Sequence, residues 1–354
     1  MLTQHNHEIY ILARGVMKGI TGRQVCLARK QFHALFSAGI KSNAFWWLLA
    51  TLSAARILSD SGLNAQTPLE LPPASTEASS LPTLQAKVQE VPLVLSVTDH
   101  KGKYVDKLTT SDLTILDNDQ EQRAVTFLEH ETNLPLNVAI IIDVSSSVAF
   151  RFSTEQSTIK SFIRTIARST DSVNIFAFND RVRLISRVSD NWKTVSRSIK
   201  KLKPKGNTAL YDAIVEGAHF LQRNATPSRR IIIVITDGEE NDSAYTLDRS
   251  IADALRAESV VYAVNVSASL EFDPDAKQGE WLLKRLTDAT GGSYFRSGPD
   301  GDVKVAFAKI RRDLRSQYFL AYKPSNIGGS AFHRVQVIAR RKLQVRCRSG
   351  YYVR

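Results

Sequence analysis

Two cysteines in 354 residues, Cys26 and Cys347, are too few for a disulfide framework. Thiolate-rich zinc sites are excluded with it, because no Cys/His ligand spacing occurs. The seven histidines (His5, His7, His33, His100, His130, His219 and His333) form no cluster. There is no Gly-x-Ser-x-Gly elbow to activate a serine, and no Gly-x-x-x-x-Gly-Lys-Ser/Thr loop to cradle a nucleotide. The familiar serine-hydrolase arrangement and a built-in ATP motor are therefore both set aside. No long block of one charge marks a nucleic-acid arm.

What is present is ordinary for a globular chain: 43% hydrophobic and 23% charged residues, with length enough for two domains and a sizeable core. The net charge of +12 is partly local, since residues 1–60 hold seven Lys and Arg against two acids. The compact apolar run Ala44 to Ala55 is short of the roughly 20 residues a membrane span needs. Basic residues precede it and Ser53-Ala54-Ala55 offers a cleavage site, so residues 1–58 are expected to be a basic N-terminus with a signal peptide or signal anchor. Met17 is an alternative start that gives a more conventional leader; a buried helix is the plain alternative for the run. Export to the periplasm or cell surface follows, with a membrane tether through residues 44–58 if the run is retained; a cytoplasmic location is the alternative. Residues 59–83, rich in Ser, Pro, Thr and Ala, read as a flexible linker.

From Leu84 the grammar changes. Short alternating segments, "VPLVLSVTD", "YVDKL", "LTILDN" and "QRAVTFLE", predict a small β unit over 84–131. From about 135 to 317, buried strands alternate with amphipathic segments. "LNVAIIIDV" and "RRIIIVITDG" are continuous apolar runs of the kind covered on both faces. Helices are expected at 153–168, near 191–202, 209–223 and 246–257, within "GEWLLKRLTDATGG", and from an Asp302 cap onward. "RVRLIS" is expected to return from an Asn179-Asp180 turn as a hairpin. This alternation predicts an α/β fold, a doubly wound, mostly parallel sheet flanked by helices, with a small accessory β domain. The segment 318–354 is again strand-like and is expected to pack with 84–131; its basic stretch "RRKLQVRCR" reads as a strand with a charged face.

Parallel sheets place their chemistry at the carboxyl ends of their strands. One predicted strand ends at Asp143, followed by Ser145 and Ser147, and another ends at Asp237. Thr208 lies between them in "KGNTALYDAI", where a loop enters a helix. Taken singly, each has a plain explanation: turn residues for Asp143 and Asp237, a helix N-cap for Thr208. Taken together, five oxygen-bearing side chains fall on one edge of the sheet. Carboxylates and hydroxyls are hard donors that suit Mg²⁺, with Mn²⁺ or Ca²⁺ as other candidates. Glu239, Glu240 and Asp242 extend the acidic loop and read as solvated; Gly206 reads as a turn residue or a point of close backbone approach.

The segments "DVSSS", "GNTALYD" and "ITDGEEND" together resemble the metal-ion-dependent adhesion site of von Willebrand factor type A domains, over about residues 135–317. The flanks resemble bacterial proteins that carry such a domain with a short β segment before it and a "GYY" strand near the end. The resemblance implies hydroxyl ligation by Ser145, Ser147 and Thr208, with Asp143 and Asp237 holding metal-bound waters or coordinating directly. It further implies a non-enzymatic protein–protein interaction module whose metal accepts an Asp or Glu carboxylate from a protein partner, without nucleic acid. A non-catalytic assembly subunit working with a separate cytoplasmic ATPase is the alternative.

Overall fold

A computed structural model describes residues 90–130, 134–166, 168–187, 191–223, 228–267, 273–297, 303–326, 328, 331–340 and 342–353. The expectations for residues 1–83, including Cys26, and for an Asp302 cap lie outside the described residues.

In chain order, strands β1 (Val91–Thr98), β2 (Leu113–Asp117), β3 (Gln120–Gln122), β4 (Val125–His130) and β5 (Leu136–Asp143) come first. Then follow helix α1 (Ala149–Ile166), β6 (Ser172–Phe178), β7 (Val182–Arg187), α2 (Trp192–Lys200), α3 (Leu210–Gln222) and β8 (Arg229–Thr236). The remainder is α4 (Leu247–Arg256), β9 (Ser259–Asn265), α5 (Pro274–Thr290), β10 (Tyr294–Arg296), α6 (Lys304–Arg315), β11 (Gln317–Tyr322), β12 (Phe332–Ala339), β13 (Gln344–Arg346) and β14 (Gly350–Tyr352).

Every residue of β5 is buried, the mark of a central strand covered on both faces. It pairs in parallel with β6 on one side and β8 on the other, within a sheet ordered β10-β9-β8-β5-β6-β7. Only β7 is antiparallel, the return arm of a hairpin from β6. Side chains alternate between two cores, as the two-residue period of a strand requires. Val138, Ile140 and Ile142 face a core closed by α1, α2 and α6. Ala139 and Ile141 face one closed by α3, α4 and α5. The fold is thus doubly wound, three helices to a face. Each fully buried Ile or Val contributes about 1.5–3 kcal/mol, so this sheet dominates the stability of the region. On the first face Phe162 of α1 stacks on Phe307 of α6, centroids 4.1 Å apart.

The helix starts have local causes. The Asn191 side chain accepts from Lys193 N at 2.9 Å, and Thr246 from Arg249 N at 3.3 Å, which satisfies donors that a helix leaves open. Asp273 accepts from Asp275 N at 3.0 Å ahead of Pro274, so α5 begins five residues before the predicted segment. Helix α1 begins four residues earlier than expected, directly after the Ser145–Ser147 turn. The segment "YVDKL" forms no strand; Tyr104 makes only an isolated bridge to Thr98.

The remaining strands form two four-stranded sheets, β13-β1-β11-β4 and β14-β12-β2-β3. Each interleaves strands from both ends of the described chain: β1 pairs with β11, Leu93 opposite Leu320, and β2 with β12, Ile115 opposite Val337. Leu93, Leu95, Ile115, Tyr318, Leu320, Tyr322 and Val335 share one core between the sheets. At its centre Asp117, 4% exposed, accepts from Tyr322 Oη at 2.7 Å and Tyr351 Oη at 2.9 Å, and its other oxygen lies 2.9 Å from His333 Nδ1. Asp117→Ala strips three buried polar groups of their shared acceptor. It is expected to lower the stability of this region by about 3 kcal/mol, read as a shift in urea midpoint at unchanged slope; a loss under 1 kcal/mol would show the network to be dispensable. Among the described residues, no helix is long and apolar enough to cross a membrane.

Candidate metal centre

Strand order reverses between β5 and β8: the chain leaves β5 for β6 on one side and returns to β8 on the other. The crevice outside the carboxyl ends at such a switch point is where open α/β sheets bind ligands. Asp143 ends β5 and Asp237 directly follows β8, so both acids stand at this crevice.

Asp143 is 2% exposed and Asp237 8%. Asp143 Oδ1 accepts from Ser145 N at 2.8 Å, which turns the chain so that Ser145 Oγ lies 3.1 Å from Ser147 Oγ. Its Oδ2 accepts from Thr236 Oγ1 at 2.6 Å, and that hydroxyl accepts in turn from Gly238 N at 3.1 Å. Thr236 therefore ties the two acidic turns together. Asp237 Oδ1 accepts from Glu239 N at 3.1 Å. Ser145 is buried and Ser147 exposed, so the cluster opens to solvent on one side. Burial, with the neighbouring Asp237 carboxylate adding to it, pushes the Asp143 carboxyl up to about 7. Among the described residues, no Lys, Arg or His ion-pairs with either acid. Two buried carboxylates without a counter-charge are costly, and a cation among hydroxyl donors removes that cost. The hard oxygen set fits Mg²⁺. Among the described residues no three His, Cys, Asp or Glu side chains cluster to hold a metal, so the hydroxyls are essential to such a site.

The Thr208 loop is stitched to both acidic turns. Ser146 N donates to Gly206 O at 3.0 Å and Lys205 N to Val144 O at 2.8 Å, while Asn241 N donates to Thr208 O at 3.1 Å. Thr208 N donates to Asn241 Oδ1 at 2.8 Å. Ala209, not Thr208, holds the N-cap position of α3, without a side-chain cap bond. Thr208 is 1% exposed and its hydroxyl is not spent as the helix cap. Gly206 takes φ +81° and sits where a Cβ would lie 2.6 Å from Asp180 Oδ1, the atom that accepts from Asn207 N at 2.5 Å. The close approach explains the glycine.

The acidic loop divides its labour. Glu239 is exposed, and burial of its surroundings with Asp237 nearby raises its carboxyl. Glu240 is a brace rather than a solvated acid: its Oε2 accepts from Tyr211 N at 3.1 Å and from Ser243 Oγ at 2.7 Å, covering the open start of α3. His219 lies 3.3 Å from Asp253, between α3 and α4 and away from the site. Three contributors were not singled out by motif: Thr236, Asn241 and Phe150. The first was readable as the hydroxyl before Asp237; the other two carry no local signal.

The von Willebrand factor type A domain family model matches residues 138–240. No curated protein matches the chain. Solved structures similar to it include an aerotolerance-related membrane protein from Bacteroides fragilis NCTC 9343, at 18% identity over 51% of this chain and 98% of that one, TM-score 0.42. A von Willebrand factor type A protein from Catenulispora acidiphila matches at 14% identity over 72% of this chain and 71% of that one, TM-score 0.45. The manganese-loaded TRAP protein of Plasmodium vivax matches at 13% identity over 64% and 98%, TM-score 0.41. With the matched segment running from β5 through the Asp237 turn of a doubly wound sheet, this chain carries a von Willebrand factor type A domain.

Proposed function

We propose that the chain is a non-catalytic, metal-dependent protein-binding module, exported to the cell envelope, that captures an acidic residue of a protein partner. The observation that carries the reading is the meeting of Ser145 and Ser147 hydroxyls beside the buried Asp143 and Asp237, at the sheet's switch point and open on one side. Ser145, Ser147 and Thr208 would hold the ion through neutral oxygens, and Asp143 and Asp237 would balance its charge from behind. A bound Mg²⁺ supplies an open coordination position with affinity for a carboxylate oxygen. The chain's own part is to orient the hydroxyls and to present a contact surface around them.

Phe150 supports this use of the surface. It is 90% exposed and lines a cleft with Ser147, Arg151, Asp237 and Glu239. An exposed aromatic at the rim of a polar site is the kind of residue that anchors a protein interface. Phe150→Ala is expected to weaken partner binding about tenfold or more while leaving metal affinity and melting temperature unchanged; equal binding by the variant would remove Phe150 from the interface. The reading as a whole is tested by titrating the full chain with Mg²⁺ and Mn²⁺, then measuring capture of envelope proteins with metal and with chelator. Binding that is indifferent to chelator, or retained by Ser145→Ala/Ser147→Ala, would overturn it.

A further inference from the structure

The amino ends of the same strands carry a second polar site. Arg229 and Arg230 open β8, Ser259 opens β9, and Arg348 follows β13. All four line one cleft of about 210 Å³ beneath the sheet, walled by Pro92 and Phe319 of the β1 and β11 strands. That volume holds several waters at about 30 Å³ each. The alternating tail predicts Arg348 on a charged surface face, but it is 8% exposed and Arg229 is 6% exposed.

The bonds these arginines make are mostly to neutral acceptors. Arg229 Nη1 donates to Leu314 O at 3.1 Å and Gln317 Oε1 at 3.0 Å. Arg348 Nη2 donates to Pro92 O at 2.8 Å. Arg230 Nη1 donates to Ala257 O at 3.1 Å and reaches Glu258 Oε2 at 3.4 Å. The Nε atoms of Arg229, Arg230 and Arg348 are all buried without a hydrogen-bond partner, as is Ser259 Oγ. Among the described residues neither Arg229 nor Arg348 has a carboxylate within ion-pair reach. Three guanidinium groups thus face one lining carboxylate, Glu258. Burial pulls both Arg229 and Arg348 below the usual guanidinium range, the signature of cations held out of water without full compensation.

Unpaired buried charge costs several kcal/mol, and natural sites keep such a cost where a ligand removes it. Planar guanidinium forks match the oxygens of phosphate better than any other side chain. We propose that this cleft is an oxyanion site for a phosphate-type dianion, separate from the metal centre. An eight-residue strand at about 3.3 Å per residue puts the two roughly 25 Å apart, at opposite ends of β8. The charge of the lining favours a dianion over a monocarboxylate.

Isothermal titration of the full chain with inorganic phosphate, in chelator and at constant ionic strength, tests the assignment. Saturable binding is expected, with affinity reduced at least tenfold in both Arg348→Gln and Arg230→Gln. Vesicles containing phosphatidic acid, run in parallel, show whether a lipid headgroup or a free phosphate is the better source. No saturable heat from phosphate, or unchanged affinity in the folded variants, would overturn the site, and acetate binding as tightly as phosphate would overturn the dianion. Arg230 is only partly buried, so Arg230→Gln decides the matter if Arg348→Gln does not fold.

Discussion

Asp143→Ala is expected to abolish the rise in melting temperature that Mg²⁺ would give the wild-type chain at the proposed site, and partner capture with it. Ligand binding to the folded state stabilises by about 2.7 kcal/mol at a hundredfold excess over the dissociation constant, so the lost increment is several degrees. The cause is specific. Asp143 is the hub from which Ser145 is turned and to which Thr236 is tied, so its removal disperses the hydroxyls as well as deleting charge. Asp237→Ala is expected to give the same loss, by deleting charge and the acceptor of Glu239 N. Differential scanning calorimetry with Mg²⁺ and with chelator reads both. The variants should retain far-ultraviolet dichroism, because neither acid ion-pairs with a Lys, Arg or His among the described residues. A metal-dependent increment that survives both substitutions would mean that the ion binds elsewhere.

The second large effect is expected at Asp313. It is fully buried on α6 and lies between the α/β sheet and the flanking strands. Tyr262 Oη of β9 donates to its Oδ2 at 2.7 Å, Gln317 Nε2 donates to the same tyrosine at 2.8 Å, and Arg346 of β13 pairs with Oδ2 from the other side. Arg346 is further held by Gly291 O at 3.1 Å. Asp313→Ala leaves the partly buried Arg346 guanidinium without its partner and the buried Tyr262 hydroxyl without its acceptor, and is expected to cost about 3 kcal/mol, measured by guanidinium chloride denaturation. Arg346→Met should cost a similar amount, for the mirror-image reason. The double variant should recover part of the loss, since neither charge is then left without its partner. Strictly additive losses, or a single-variant loss under 1 kcal/mol, would show that the pair is not the tie between the layers.

Much of this was legible in the order of residue types. The five-residue apolar runs within β5 (Val138 to Ile142) and β8 (Ile231 to Ile235) read directly as central strands, because burial on both faces removes any polar alternation. The acids and hydroxyls that end those runs marked the crevice, because the carboxyl edge of a parallel sheet is where side chains can converge. What stayed hidden depended on partners distant in the chain. The first turn of α5, "PDAKQ", is polar and carries no apolar period, so only the Asp273 cap and Pro274 mark the start. Glu240 looks like any acid in a loop until α3 arrives with its open N–H groups. Arg348 sits in a tail whose alternation predicts exposure, and only the packing of β1 beside it encloses the side chain. Tyr104 stands in an alternating segment that the bridge to Thr98 leaves as a turn.

The interleaving of the flanking strands bears on how the molecule is made. Every strand of the six-stranded sheet lies between Leu136 and Arg296, whereas β1 waits for β11, more than two hundred residues later, and β2 waits for β12. On the ribosome, the α/β layer can therefore complete its pairing while Val91–Thr98 still lacks a neighbour. A chain stopped before Gln317 would keep that layer's ladder whole and leave three early strands with bare edges, ready to adhere to other chains.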